Sequence, residues 1–338
     1  MPRSRCRYAN AHAWKIHAPA FPDGLVWLNS KPLSMEKLRG KPVLIDFWTY
    51  SCVNCLRTIP HVQGWYEKYQ KAGLVVIGVH SPEFDFEKDE KNVERAIAEL
   101  GMTYPIVLDP DFAIWNVYAN KYWPHAFLVD HRGVLVYDHA GECAVTETEH
   151  AIALALQAAG AKKLPAIAPR ASTHDDVCYR PTSEIYLGYL RGHIGNAGEA
   201  LPETEESFTD LQKHESDVPY LHGHWRISGE YIEHTRSLAA AIEYLALKYH
   251  AFSVNLVLGA LDDREGILDV TLDGKPVPAS MVGRDLVVDR EGNTHLHVTS
   301  HRMYVIIDAD HYHDAALRLS VKNAGVKCYA FTFGGCSI

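Results

Sequence analysis

Two textures of hydrophobic patterning divide the 338-residue chain. In the first, unbroken apolar runs alternate with amphipathic stretches of helical length. Val43-Leu44-Ile45-Asp46-Phe47-Trp48 and Leu74-Val75-Val76-Ile77-Gly78-Val79 are such runs, the signature of strands buried on both faces of a parallel sheet. Between them, residues 53–71 read as a helix. Residues 88–100 form a charged amphipathic helix with Val93, Ile97 and Leu100 on one stripe. A short strand at 106–108 precedes a helix at 112–118, whose buried side is Ile114, Trp115 and Tyr118. Strands at 126–129 and 134–137 form a hairpin about His131-Arg132-Gly133, with the glycine where φ is positive. A helix at 146–159 closes the unit, Thr146 and Glu149 being spaced as a capping box. Upstream lie a short apolar segment, Leu25-Val26-Trp27-Leu28, and a helical turn at 33–38 with Ser34 as N-cap. The order β-α-β-α-β-α-β-β-α predicts a parallel sheet covered on both faces, with an antiparallel hairpin at its end.

The second texture begins near residue 178. Short strand-like runs recur at 185–189, 224–227, 253–258, 267–272, 285–288, 303–307, 316–320 and 327–333. Turn signals such as Asp273-Gly274 and Glu291-Gly292-Asn293 fall between them, which predicts an all-β sandwich or jelly roll. Residues 238–247 are helical by composition, but the context favours a strand pair. The Ala/Pro/Lys-rich stretch at 161–172 reads as the linker. The expected organisation is an N-terminal segment (1–20), an α/β domain (21–160), the linker (161–172) and a β domain (173–338).

Composition alters this picture little. Apolar residues make up 47% and charged residues 22%, so each half has material for a core. A net charge of -9 argues against nucleic acid or an anionic membrane as a partner. The basic N-terminus reaches no apolar segment of signal-peptide type. The expectation is therefore a cytosolic protein, or one whose export signal has been removed or lies upstream. Seven cysteines, at 6, 52, 55, 143, 178, 328 and 336, are too sparse for a disulfide scaffold.

The chemistry concentrates at Cys52-Val53-Asn54-Cys55, between the first buried strand and the first long helix. A thiolate attacks a disulfide, and a helix N-terminus favours the anion through its free N–H groups and dipole. Cys52 is thus the expected nucleophile. Cys55, one turn further in, is the expected resolving thiol. Zinc binding would require two more ligands, and no second C-x2-C exists. Redox chemistry through the cysteine pair, with no cofactor and no metal, is the reading these residues favour.

The segment from Asp46 to Cys55, together with Pro124 after Tyr122-Trp123, resembles the thioredoxin superfamily. More narrowly it is similar to TlpA-like and DipZ-type domains, through Phe47-Trp48-Thr49-Tyr50-Ser51-Cys52 and Gly78-Val79-His80-Ser81-Pro82-Glu83-Phe84. Segments at 184–189, 254–258, 272–274 and 329–334 resemble the C-terminal β-sandwich of DipZ proteins. The resemblance implies a three-layer thioredoxin-like domain followed by a jelly-roll, carbohydrate-binding-module-like sandwich. It implies a thiol–disulfide oxidoreductase acting on protein thiols and disulfides in an extracytoplasmic compartment. DipZ proteins carry a transmembrane electron-transfer domain ahead of these two, so here an electron donor or acceptor is expected in trans. Asp46 matches the family's buried acid, whose raised pKa would let it exchange a proton with Cys55. Pro124 matches the cis-proline, and the backbone of Trp123 would pair with an extended client segment. Trp48 and Glu83 are further candidates for touching substrate; core packing and a solvated loop acid are their respective alternatives.

Other features carry weaker signals. Cys143 is a possible third thiol at the rim of the site. His222/His224, His295/His297 and His311/His313 each place two imidazoles on one face of a strand, as metal ligands or as a polar surface. Trp225, Tyr186, Tyr189 and Tyr220 are candidates for stacking on a sugar, with core packing as the alternative. Two further functions compete. A thiol peroxidase would be expected to show Pro-x-x-x-Thr-x-x-Cys, where Phe47, Trp48 and Tyr50 stand instead. A binding module would make the thioredoxin-like domain a scaffold.

Overall fold

The apolar run at 43–48 becomes an interior strand of a six-stranded sheet in a computed structural model of the protein. The structure describes residues 16–142, 144–167, 179–236, 242–261, 264–323 and 325–335. The chain divides into two compact units, Met1–Ser172 and Thr173–Ile338.

In the first unit the elements are β1 (Trp27–Leu28), β2 (Val43–Trp48), α1 (Val53–Tyr69), β3 (Val75–His80), α2 (Glu90–Glu99), β4 (Ile106–Leu108), α3 (Ala113–Val117), β5 (His125–Val129), β6 (Leu135–Ala140) and α4 (Val145–Ala158). The sheet order is β1-β4-β3-β2-β5-β6. Strands β2, β3 and β4 run parallel, while β5 pairs antiparallel with β2 and β6.

Alternation along β2 creates the three layers. Leu44 and Trp48 point to a core with Ile59, Val62, Trp65 and Tyr69 of α1, Val93, Ala96 and Ile97 of α2, and Ile152, Ala155 and Leu156 of α4. Val43, Ile45 and Phe47 point the other way, to Ile114 of α3, Tyr118 and Phe127, closed over by Met35, Leu38 and Phe21 from the chain ahead of β2. Asp46 shares the first face, beneath α1, because strand side chains alternate. Gly78 of β3 stands opposite Asp46, and a Cβ there would lie 2.8 Å from Ile106 Cδ1 and 2.9 Å from Trp48 Nε1. The missing side chain is what admits the Trp48 indole.

Two local expectations need correction. Helix α4 starts at Val145 from an Ala144 at φ 66°, with no side-chain cap. The Thr146–Glu149 capping box is absent because Glu149 is taken by Lys68 at 2.6 Å and the Tyr69 hydroxyl at 2.9 Å. Helix α2 starts at Glu90, because Asp89 caps it through Lys91 N–H, and residues 85–88 form a separate 3-10 turn. The helical turn expected at 33–38 is present: the Ser34 side chain accepts from the Lys37 N–H at 3.4 Å and its carbonyl from the Leu38 N–H at 3.2 Å. Residues 161–167, the described part of the expected linker, carry no regular secondary structure.

The second unit is all-β. Its strands are β7 (Ile185–Tyr186), β8 (Glu205–Phe208), β9 (Pro219–Ile227), β10 (Ile232–His234), β11 (Glu243–Ala260), β12 (Gly266–Leu272), β13 (Lys275–Pro276), β14 (Leu286–Val288), β15 (Thr294–Val298), β16 (Arg302–Val321) and β17 (Val326–Gly334). Every pairing among them is antiparallel, along β14-β15-β12-β16-β11-β17-β10-β9-β8 with β7 on β17 and β13 on β12. Alternate residues of β9 and β12 turn inward onto one hydrophobic cluster that includes Trp225, Leu256, Val270 and Phe331.

The two strands expected at 303–307 and 316–320 are a single strand of 20 residues. The polar stretch between them stays extended but leaves the ladder: Asp308 pairs with Ser253 and His313 with Ala251, so residues 309–312 oppose Phe252 alone. Residues 243–247 lie in β11, as the strand reading of 238–247 expects; 237–241 fall outside the described residues. Among the described residues no helix is long and apolar enough to cross a membrane.

Replacing Gly78 by alanine is expected to lower stability by about 1–3 kcal/mol, since the core must shift for the methyl group. Urea denaturation checks this; an unchanged midpoint would show that the Trp48 pocket relaxes freely.

Candidate active site

The site lies where β2 hands the chain to α1. Cys52 is the N-cap of α1, and its sulfur accepts the Cys55 N–H at 3.3 Å. Cys52 is partly exposed and Cys55 is fully buried, and neither is in a disulfide. The Cys55 thiol is pushed well up. Burial is the main cause, followed by its hydrogen bond with Cys52, the charge of Cys52 and that of Asp46; a backbone hydrogen bond with Thr49 pulls the other way. One thiol therefore faces solvent at a helix N-terminus while the other is held protonated behind it.

Asp46 is 1% exposed, and neither carboxyl oxygen has a hydrogen-bond partner among the described residues. Burial pushes it up to about 7. It stands close enough to Tyr104 and Cys55 for its charge to raise both. The Trp48 Nε1 and Tyr104 hydroxyl are likewise buried without a partner among the described residues.

The peptide bond between Trp123 and Pro124 is cis. Pairing of Phe47 with His125 places the buried Pro124 at the sheet edge from which the chain turns into Cys52. The Trp123 indole donates to Ser81 O at 3.0 Å and packs against Trp115, ring centroids 4.3 Å apart. His125 is held between Asn120 Oδ1 and Asp138.

The structure thus brings Cys52, Cys55, Asp46, Trp123, Pro124 and Glu83 to the same end of the sheet. Trp48 is a correction: it is 0% exposed and belongs to the core, so no client reaches it. Glu83 is half-buried in the loop after β3, and its N–H donates to Glu87 Oε2. Cys143 lies outside the described residues.

Glu87 is the residue that sequence reading missed. It is buried and accepts hydrogen bonds from Thr49 and Ser51, directly ahead of Cys52. One acid within Glu83-Phe84-Asp85-Phe86-Glu87-Lys88-Asp89-Glu90 carries no mark of burial. The available signal was that this run follows the C-terminal end of a buried strand, where open sheets place their sites.

In the β unit, the expected pairs sit on strands, each pair on one face. His224 pairs with Glu243, His295 with Asp269 and Asp289, and His297 with Glu265; His313 meets the Tyr249 hydroxyl. Among the described residues no group of three or more His, Cys, Asp or Glu is arranged to hold a metal. Trp225 is 1% exposed and belongs to the core, a correction to the sugar-stacking expectation. Arg191 covers the Tyr186 ring at 3.5 Å and His214 stacks on Tyr220, whereas Tyr189 is exposed.

Comparison with known proteins is consistent with both units. A family model described as "Thioredoxin like C-terminal domain" matches residues 182–334, and one described as "AhpC/TSA family" matches residues 17–138. Protein DipZ of Mycobacterium bovis is 36% identical over 315 residues, 91% of this chain and 41% of DipZ. The chain thus spans about two fifths of that relative. The thiol-disulfide oxidoreductase YkuV of Bacillus subtilis is 34% identical over 115 residues, 34% of this chain and 77% of YkuV. ResA, a thiol-disulfide oxidoreductase of Halalkalibacterium halodurans, is 29% identical over 114 residues, 34% of this chain and 62% of ResA.

Asp46→Asn is expected to stabilise the protein at high pH. The folded state holds the Asp46 proton up to about pH 7, well above the ordinary carboxylate value of 3.8, so the stability the neutral carboxyl contributes is complete below about pH 4 and is lost as pH rises through 7. The variant should gain on the order of 2–4 kcal/mol over wild type between pH 4 and pH 8.5. Urea titrations at both pH values check this; an equal difference at the two would refute it.

Proposed function

Because the chain belongs to the thioredoxin-like thiol–disulfide oxidoreductases of the TlpA/DipZ type, we propose that it exchanges disulfides with proteins through Cys52 and Cys55. The observation that carries this is the split environment of the pair, an accessible sulfur capping a helix and a buried thiol with a raised pKa behind it. The Cys52 thiolate attacks one sulfur of a client disulfide, forming a mixed disulfide and releasing the client's other sulfur as a thiolate. Cys55 gives its proton to the Asp46 carboxylate and attacks the Cys52 sulfur. The Cys52–Cys55 bond forms, the second client thiolate leaves, and two electrons have passed to the client. Run backwards, the same steps oxidise a dithiol. Asp46, titrating near neutral pH, is matched to this exchange.

Pro124 presents no N–H, and the Trp123 backbone beside it would pair with an extended client strand. The indoles of Trp123 and Trp115 supply an apolar wall there. Glu83 borders the same edge and would meet the client's flanking residues. The pair would exchange electrons with a membrane-bound or soluble donor or acceptor, and the compartment would be extracytoplasmic, as the resemblance implies. The β unit would select where the pair works, with Tyr189 as its open aromatic for a carbohydrate. The AhpC/TSA match favours thiol-dependent peroxide reduction as the second reading.

Cys55→Ser is expected to accumulate disulfide adducts of Cys52 with oxidised insulin, visible on non-reducing gels, while Cys52→Ser forms none and reduces insulin at the uncatalysed rate. Absence of any adduct with Cys52 free and accessible would defeat the proposal. Peroxide consumption exceeding insulin turnover would favour the second reading.

A further inference from the structure

The loop after β3 sets a buried carboxyl against the chain that enters Cys52. Glu87 is 1% exposed. Its Oε1 accepts from the Thr49 hydroxyl at 2.5 Å and the Ser51 N–H at 3.1 Å, and its Oε2 from the N–H groups of Glu83 at 2.5 Å and Phe84 at 3.1 Å. Four donors meet the four lone-pair positions of a carboxylate, so the protein solvates the anion in place of water. Two donors belong to the segment ahead of Cys52 and two to the loop after β3, so one side chain ties the two together. From this geometry we infer that Glu87 is a positioning residue for thiol exchange, one that holds Thr49 and Ser51 in place and whose charge tunes the reactivity of Cys52. The inference rests on the reading of Cys52 as the attacking thiol.

The site accommodates both charge states because one donor can reverse. Thr49 Oγ1 also lies 3.4 Å from His80 Nε2. Burial holds His80 neutral, down to about 3, so that nitrogen can accept. With Glu87 ionised, the Thr49 hydrogen points to Glu87. When Glu87 takes a proton from solvent at Oε1, it donates that proton to Thr49 Oγ1, and the Thr49 hydrogen turns to His80. The bond from the Ser51 N–H then weakens, because a carboxylic acid accepts less strongly than a carboxylate. Burial and the charge of Glu83 bring Glu87 up to about 7, so the exchange falls near neutral pH.

The titratable groups around it are few. Glu83 is in the same loop and His80 is on β3. On the 3-10 turn itself Asp85 pairs with Lys88 at 2.6 Å on the exposed side, and Asp89 caps α2. On β2, Asp46 titrates in the same range and has to be separated by experiment. An anion at Glu87 opposes a second anion at Cys52. As pH rises through 7, ionisation of Glu87 should therefore slow the gain in Cys52 reactivity.

The test is the rate of Cys52 alkylation by iodoacetamide in the reduced full chain from pH 5 to 9, read by peptide mass. Wild type should show a flattened region near pH 7. Glu87→Gln should lose that region and react roughly three- to tenfold faster at pH 7, the size expected when one nearby charge is removed. Asp46→Asn should retain the flattened region. Thr49→Val, which takes a donor from the carboxylate, should move it to higher pH. Profiles of Glu87→Gln and Thr49→Val that both superpose on wild type would overturn the inference. Should Glu87→Gln fail to fold, an unshifted Thr49→Val profile overturns it alone. Alkylation needs no client, so a protein that shifts as expected but exchanges no client disulfide refutes the proposed function and leaves the role of Glu87 standing.

Discussion

Strand β2 is buried along its whole length, yet at its end the chain must emerge with a reactive sulfur at the surface. That constraint organises the α/β unit. A strand covered on both faces is rigid, and neighbours on either side fix its register: Trp48 opposite His80 on β3, Phe47 opposite His125 on β5. The chain then has little freedom in where it releases Thr49, Tyr50, Ser51 and Cys52. Cys52 stands where it does because everything before it is packed.

The same rigidity imposes a cost. Alternation on β2 turns Asp46 inward with Trp48, into a core where no described residue hydrogen-bonds its carboxyl. A buried carboxyl without a partner opposes folding once it ionises, and the pKa near 7 is that opposition expressed as a proton affinity. Glu87 is the contrasting case. It is equally buried and equally raised, but four donors surround it. Both exchange a proton near neutral pH, but only Glu87 also ties two segments of the chain together. Charge in a core is costly enough that these two solutions read as features of the site rather than of the scaffold.

The β unit uses its ionisable groups differently. Its histidines lie on strand faces as pairs, but carboxylates on adjacent strands or turns occupy several of them: Glu243 bridges His224 and His234, and His295 sits between Asp269 and Asp289. These contacts bind strand to strand or strand to turn. Strand β16 shows how far such a unit can bend without breaking: its polar middle leaves the ladder over four residues and rejoins it in a shifted register to complete one strand.

The amino-acid sequence alone determined the order of strands and helices in the α/β unit, the β character of the second, and the identities of Cys52, Cys55, Asp46 and Pro124. The elements and the cysteine pair are written in local pattern, which needs no knowledge of distant neighbours; Asp46 and Pro124 were singled out through the resemblance to the thioredoxin superfamily. Trp48 was legible both as part of a buried strand and as a candidate for touching substrate, since an aromatic at a strand end reads alike whether it lines a core or a cleft. Glu87 was not legible at all. One acid in an acidic run becomes a ligand for the catalytic segment only when β3 is laid parallel to β2, which brings residues 83–87 against residues 49–51. The length of β16 and the taking of Glu149 by Lys68 and Tyr69 were decided in the same way. Periodicity records which face of an element is apolar; which polar groups meet across elements depends on register and packing, and only the tertiary structure sets those.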